Sequence, residues 1–282
     1  MDYAVMLEFL AAPMAAALVI AGIHAYLGLH VVERGVIFVD LSLAQIAALG
    51  ATIAVIVPSL GGDPSAPGVY WMSLAFTLVG AFVFAMIKGH EANIPQEAII
   101  GISYAVASAA VILTMSQAPG EGEHLRDMLV GNILAVQWSD VWTTGGLYVV
   151  IGIFHYVFRK RFLEISVDPR AVEARGVSVR FWDFLFYASF GVVVTRSVAI
   201  AGVLLVFCYL IVPSVAGMLF SNRIGPRLAV GWAMAAIVSA LGMYFSVMFD
   251  LPTGAAIVCT FGLVLVVLAL FRALFMRASK AG

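Results

Sequence analysis

Residues 197–220, SVAIAGVLLVFCYLIVPSVAGMLF, run 24 positions without a charged side chain. Hydrocarbon about 30 Å thick needs roughly 20 apolar residues at ~1.5 Å rise each, so this stretch can cross a bilayer. Lipid offers no water to satisfy backbone N–H and C=O groups, which forces a helix. Pro213 removes one internal hydrogen bond and is expected to kink that helix before Leu219. Ser214, Ala216 and Gly217 are small enough to let a neighbouring backbone approach closely. The next charges, Arg223 and Arg227, lie just past the end.

Composition extends this constraint to the whole chain. Of 282 residues, 63% are hydrophobic and 11% charged, against about 25% charged in a soluble domain. The reading is all-α: one polytopic membrane domain over 1–282. Cys208 and Cys259 both fall in apolar spans and read as small buried hydrophobes, not as a disulfide or metal pair. The start, MDYAVMLEFL, lacks the positive segment of a cleaved leader, so the first hydrophobic stretch is expected to be retained.

Nine hydrophobic segments can be drawn: 10–32, 36–60, 69–87, 98–116, 141–158, 181–195, 197–220, 228–249 and 252–271. The segment 181–195 is short and only Arg196 parts it from the next, so eight spans with 181–195 partly re-entrant is the competing count. Lys and Arg near span ends favour the cytoplasm. Nine spans with the N-terminus outside and the C-terminus inside put 13 of the 15 Lys and Arg residues on the cytoplasmic side, leaving only Arg126 and Arg196 outside. The localisation implied is a cytoplasmic (inner) membrane.

Between spans five and six lies RKRFLEISVDPRAVEARGVSVR, residues 159–180. Asp168 followed by Pro169 reads as an N-cap with proline at the first helical position, and Gly176 as the stop. A short cytoplasmic helix of about two turns is expected there. On the other side, 117–140 is the longest loop, and its second half, MLVGNILAVQW, is apolar enough to lie on or dip into the membrane. Phe181, Trp182, Tyr70, Trp71, Trp138 and Trp142 lie near span ends and read as interfacial anchors.

No GxxxxGK[ST], HExxH, CxxC or GxSxG pattern occurs, and Lys88, Lys160 and Lys280 are followed by Gly89, Arg161 and Ala281. The chain cannot carry a P-loop ATPase of its own. Polar groups within spans are the functional candidates. Span two offers Asp40, Ser42 and Gln45; Asp40 and Gln45 lie about 140° apart on a helix, sharing a wall only if it is broad. Alternatively Asp40 pairs with Arg34 or caps the span. His24 and His30 do not share a face; His30 is expected to snorkel beside Glu33 and Arg34, and His155 to sit at the interface. Glu121, Glu123, His124 and Asp127 form an external cluster, either a solvated acidic loop or a rim that attracts a divalent cation or a partner.

Four stretches resemble the membrane permeases of zinc, manganese and iron ABC importers. VDLSLAQIAALG (39–50) is similar to that family's Gly-Asp-x-Leu-Ser-His-Ala-x-Leu-x-Gly, and GNILAVQWSD (131–140) to its Gly-Asp-Leu-Leu-Ala-Val-x-x-x-Asp. AGVLLVFCYLIVPSVAGML (201–219) and LGMYFSVMFDLPTGAAIV (241–258) resemble its Pro-Ala-x-x-Ala and Asp-x-Pro-x-Gly stretches. VDPRAVEARGV (167–177) sits where the family has its coupling segment. The resemblance implies a permease dimer in which a second copy of the chain makes a homodimer, two separate cytoplasmic ATPases that bind ATP, and an external solute-binding protein. Lipid surrounds the assembly and no nucleic acid is involved. This chain itself is then a transport subunit, not an enzyme, and holds no cofactor.

The resemblance makes Asp168, Pro169, Arg170, Ala171, Glu173, Arg175 and Gly176 the ATPase-coupling helix. It makes Asp40, with Gln45, the metal-contacting residues of the path, and zinc the first expected substrate ahead of manganese and iron. Two departures stand out: Ala44 and Gln45 occupy the place of the family's histidine, and Asn132 that of an aspartate. The alternatives are an ABC permease for a metal chelate or other small solute, and a secondary carrier or membrane scaffold with no ATPase.

Overall fold

The computed structural model describes residues 3–57, 66–87, 95–116 and 131–281, and among these every regular element is a helix. In chain order they are α1 (Tyr3–Arg34), α2 (Val39–Ile56), α3 (Pro67–Ile87), α4 (Gln96–Met115), a 3-10 turn (Ile133–Ala135), α5 (Trp138–Val157), α6 (Arg159–Val167), α7 (Pro169–Ala174), α8 (Val179–Ala201), α9 (Val203–Phe220), α10 (Ile224–Phe249) and α11 (Thr253–Ala281). Eight of these helices are long and apolar enough to cross a membrane. The pair α5 and α6, bent by 71° at their junction, makes a ninth when counted as one span. The all-α polytopic expectation holds.

The segment expected to stop at Arg196 does not. The helix α8 continues through Arg196 to Ala201, 23 residues in all, and is a full span and not a re-entrant piece. The chain breaks instead at Gly202, whose φ of 77° is the left-handed region that a side chain resists. One arginine does not end a helix whose backbone bonds are made internally, whereas a residue with positive φ does. Pro213 lies inside α9, which runs unbroken from Val203 to Phe220. Asp250, with φ 51° and ψ 47°, ends α10 as the tight corner read from sequence. The Ser246 hydroxyl donates to Leu251 O at 2.7 Å and meets Thr253 Oγ1 at 2.5 Å, fixing the turn.

The helices sort into two compact units. The first holds residues 1–32, 130–149 and 200–282. Within it α9 packs on α10 and α11, and α10 on α11. Tyr209 and Ser239 share a buried hydroxyl bond of 2.6 Å. A Cβ on Gly28 would overlap Leu210 O and Ser214 Oγ, so α1 and α9 cross at backbone contact. Cys208 is half-buried and Cys259 exposed, correcting the expectation of two buried hydrophobes; Cys259 sits on an outward face of α11, beside exposed Leu263 and Val266.

The second unit holds residues 33–129 and 150–199. Here α2 packs against α3 and α4, and Ser73 Oγ donates to Ala47 O at 2.9 Å. Thr77 and Thr195 hydroxyls lie 3.0 Å apart, joining α3 to α8. Phe154, Phe162, Trp182 and Phe186 form an aromatic cluster that takes in His155, whose ring stacks on Phe162 at 4.6 Å.

Candidate functional site

The second unit positions the candidate residues of α2 and of the segment between α5 and α8. Gly35, with φ 68°, ends α1, and α2 starts four residues later at Val39. The Phe38 N–H donates to Glu97 Oε1 at 3.0 Å, so the first turn of α4 holds the start of α2. Asp40 falls in the first turn of α2, where a helix dipole favours a carboxylate. It is 1% exposed, and neither carboxylate oxygen has a hydrogen-bond partner in the structure. The buried Ser42 Oγ is likewise unpartnered. Gln45 is buried on the same helix. A buried carboxylate without a partner is costly, by several kcal/mol per ion, which makes Asp40 the candidate functional residue of this span.

Asp40 neither pairs with Arg34 nor caps α2 through a side-chain hydrogen bond, which corrects both structural alternatives open to it in the sequence. The Arg34 guanidinium donates from Nη1 to Asp183 Oδ1 at 2.5 Å and from Nε to Ser166 Oγ at 2.9 Å. It also lies over the Phe186 ring, 4.1 Å from its centroid. The Arg34 and Asp183 side chains are 1% and 0% exposed, so this is a wholly buried pair. Sequence reasoning counts Arg34 among the cytoplasmic charges and misses Asp183. A signal exists: Asp183 is an acid within the apolar run FWDFLFY, and such residues pair or function.

The histidines also depart from expectation. His30 is buried, its ring edge-on to Tyr26 at 4.9 Å, so it does not snorkel. His24 is buried with Nδ1 bonded to Ile20 O at 2.9 Å. His155 is buried and bonds Ser189 Oγ at 2.9 Å, so it is a core residue and not an interfacial one. Among the described residues no group of three His, Cys, Asp or Glu side chains lies close enough to hold a metal. Glu121, Glu123, His124 and Asp127 lie outside the described residues. Of the aromatic anchors, Phe181, Trp71, Trp138 and Trp142 are exposed, while Tyr70 and Trp182 are half-buried.

The segment between α5 and α8 carries a nine-residue helix, α6, that the sequence pattern does not announce. The expected short helix comes next as α7, six residues long and so nearer one turn and a half than two. Asp168 Oδ1 accepts the Ala171 N–H at 3.0 Å, and Pro169 opens the helix. Gly176 sits just past the end with φ 77°. Val172 is buried against Ile165 and Val179, while Arg170, Ala171, Glu173, Arg175 and Gly176 are exposed. Arg175 Nη2 reaches Glu164 Oε2 at 3.0 Å, tying α7 back to α6.

Comparison with known proteins bears on the family and the fold. Residues 6–272 match the model of the ABC 3 transport family. The manganese transport system membrane protein MntC of Listeria innocua is 30% identical over 226 residues, covering 77% of this chain and 78% of that protein. MntC of Halalkalibacterium halodurans is 26% identical over 98% of this chain and 89% of its own length. Among solved structures, PsaBC from Streptococcus pneumoniae in complex with Fab aligns with a TM-score of 0.76 at 24% identity, covering 93% of this chain and 92% of that one, which shows a common fold.

Proposed function

Since the chain belongs to the ABC 3 transport family, we propose that it is the permease subunit of an importer of a divalent metal ion, with manganese ahead of zinc. The observation that carries this reading is Asp40: a carboxylate buried in a span, with neither oxygen partnered. A passing cation supplies the missing charge. The order of metals comes from donor chemistry. Zinc favours imidazole and thiolate, whereas carboxylate, carbonyl and water oxygens suit manganese. The polar side chains of the first turns of α2, Asp40, Ser42 and Gln45, offer oxygen, and Ala44 and Gln45 stand where the family motif has histidine. The MntC relatives, named for manganese, point the same way.

The exposed face of α7 is the surface we assign to two separate ATPase subunits, with Asp168, Pro169, Arg170, Ala171, Glu173, Arg175 and Gly176 as the coupling helix. An external solute-binding protein delivers the ion, and a second copy of the chain completes a homodimer. Nine crossings, with the N-terminus outside and the C-terminus in the cytoplasm, are compatible with the contacts within each unit. Arg34, Ser166 and Asp183 then share one membrane side, as do Phe38 and Glu97. The absence of the family's histidine also favours, as a second reading, a metal chelate as cargo.

The test is co-purification from native membrane, followed by ATP hydrolysis in proteoliposomes with the binding protein added empty or loaded with manganese or zinc. An ATPase partner and hydrolysis stimulated most by the manganese-loaded protein support the proposal. A carrier that moves its solute with no ATPase present overturns it.

A further inference from the structure

We propose that Arg34 is the positioning residue that transmits movement of the coupling segment to the helix carrying Asp40. This rests on the permease reading above. The chain of contacts is short and lies within the second unit. The coupling helix α7 is tied to α6: the Asp168 N–H donates to Glu164 O at 2.9 Å, Arg175 bonds Glu164, and Val172 is buried against Ile165. From α6, Ser166 accepts Arg34 Nε at 2.9 Å, while its own hydroxyl donates to Phe162 O at 2.8 Å. Asp183 of α8 takes Arg34 Nη1, and Phe186 lies under the guanidinium. One side chain therefore joins the end of α1 to α6 and α8 at once.

The residues just after Arg34 make the joint useful. Gly35 has φ 68°, which glycine adopts without strain, and the space beside its Cα is open. Val36 and Val39 are buried, and Phe38 N–H is held by Glu97. Asp40 comes next, six positions after Arg34. A displacement of α6 is thus carried by a rigid planar fork into the turn that sets where the unpartnered carboxylate stands. Arginine suits the task because its guanidinium fixes direction as well as charge, which a lysine ammonium does not.

The experiment uses the purified complex in proteoliposomes with its loaded binding protein, reading manganese uptake and ATP hydrolysis in the same vesicles. Arg34→Gln with Asp183→Asn removes the charges together and leaves neither buried alone. The expected result is an assembled complex whose stimulated hydrolysis stays within about twofold while uptake per ATP falls by about tenfold, inside the usual range of coupling strengths. Arg34→Lys, which keeps the charge opposite Asp183, restores part of that ratio. Ser166→Ala, which keeps the ion pair and removes only the link to α6, lowers the ratio in the same sense and serves if the double variant does not assemble. An unchanged ratio in these variants, or hydrolysis and uptake falling in parallel, overturns the proposal. Failure of the permease reading would show separately, as no ATP-dependent uptake by the unsubstituted complex.

Discussion

Breaking the Arg34–Asp183 pair from one side should be far more damaging than removing both partners. Arg34→Met leaves Asp183, 0% exposed, without the cation that faces it at 2.5 Å. Removing one partner of a buried pair typically destabilises by about 3–5 kcal/mol, because the other charge stays desolvated. Asp183→Leu leaves the Arg34 cation with the Ser166 hydroxyl and the Phe186 face, and a similar loss is expected. Additivity would then put the double variant roughly 6–10 kcal/mol down. With both charges gone, the residual loss is the bond to Ser166, about 1.5–3 kcal/mol for a charged donor, and the ring contact, at most ~2 kcal/mol. Methionine packing against Phe186 offsets part of this. The coupling energy should therefore be at least about 1 kcal/mol, and roughly 4–5 kcal/mol at the middle of these ranges. Steric trapping in bicelles measures it directly, because it reports unfolding free energy without leaving the bilayer. Singles that add to the double within ~0.5 kcal/mol, the behaviour of distant sites, would refute the reasoning.

Three further substitutions probe other parts of the structure. Asp40→Asn preserves shape and removes the charge. Manganese uptake should fall by about tenfold or more while the complex still assembles, since the charge-assisted contact with the ion is lost; equal uptake would remove Asp40 from the path. Asp168→Ala deletes the bond to Ala171 N–H, a cap worth roughly 1 kcal/mol. Co-purification of the ATPase should weaken with global stability almost unchanged, and intact association would count against α7 as the docking element. Gly28→Ile forces a side chain into Leu210 O and Ser214 Oγ, so folded yield in detergent should drop, in line with about 1–3 kcal/mol for overpacking. Normal yield and stability would mean that α1 and α9 do not cross there.

The spans are legible in the sequence because lipid imposes a simple rule, about 20 apolar residues in a helix. Where the chain turns on conformation instead of hydropathy, the sequence pattern misleads. Arg196 reads as a boundary because it is charged, yet α8 runs through it and Gly202 makes the break. The cap at Asp168 is readable because its partner, Ala171, is three residues away. Arg34 and Asp183 are 149 positions apart, and no local pattern brings them together. His30 reads as a snorkelling residue because Glu33 and Arg34 lie close after it, but Arg34 turns inward to Asp183 and His30 stays in the core. Asp40 stands out as an acid in a span; that neither of its oxygens is partnered is a fact of packing that no sequence pattern carries.

The most direct test of metal movement past Asp40 is manganese uptake into proteoliposomes containing the purified complex and its loaded binding protein, with and without ATP. Uptake that requires ATP, exceeds that of zinc, and is lost on Asp40→Asn is the result expected. ATP-independent uptake, or ATP-driven uptake indifferent to Asp40, would contradict the central claim that this chain moves a divalent metal past that carboxylate.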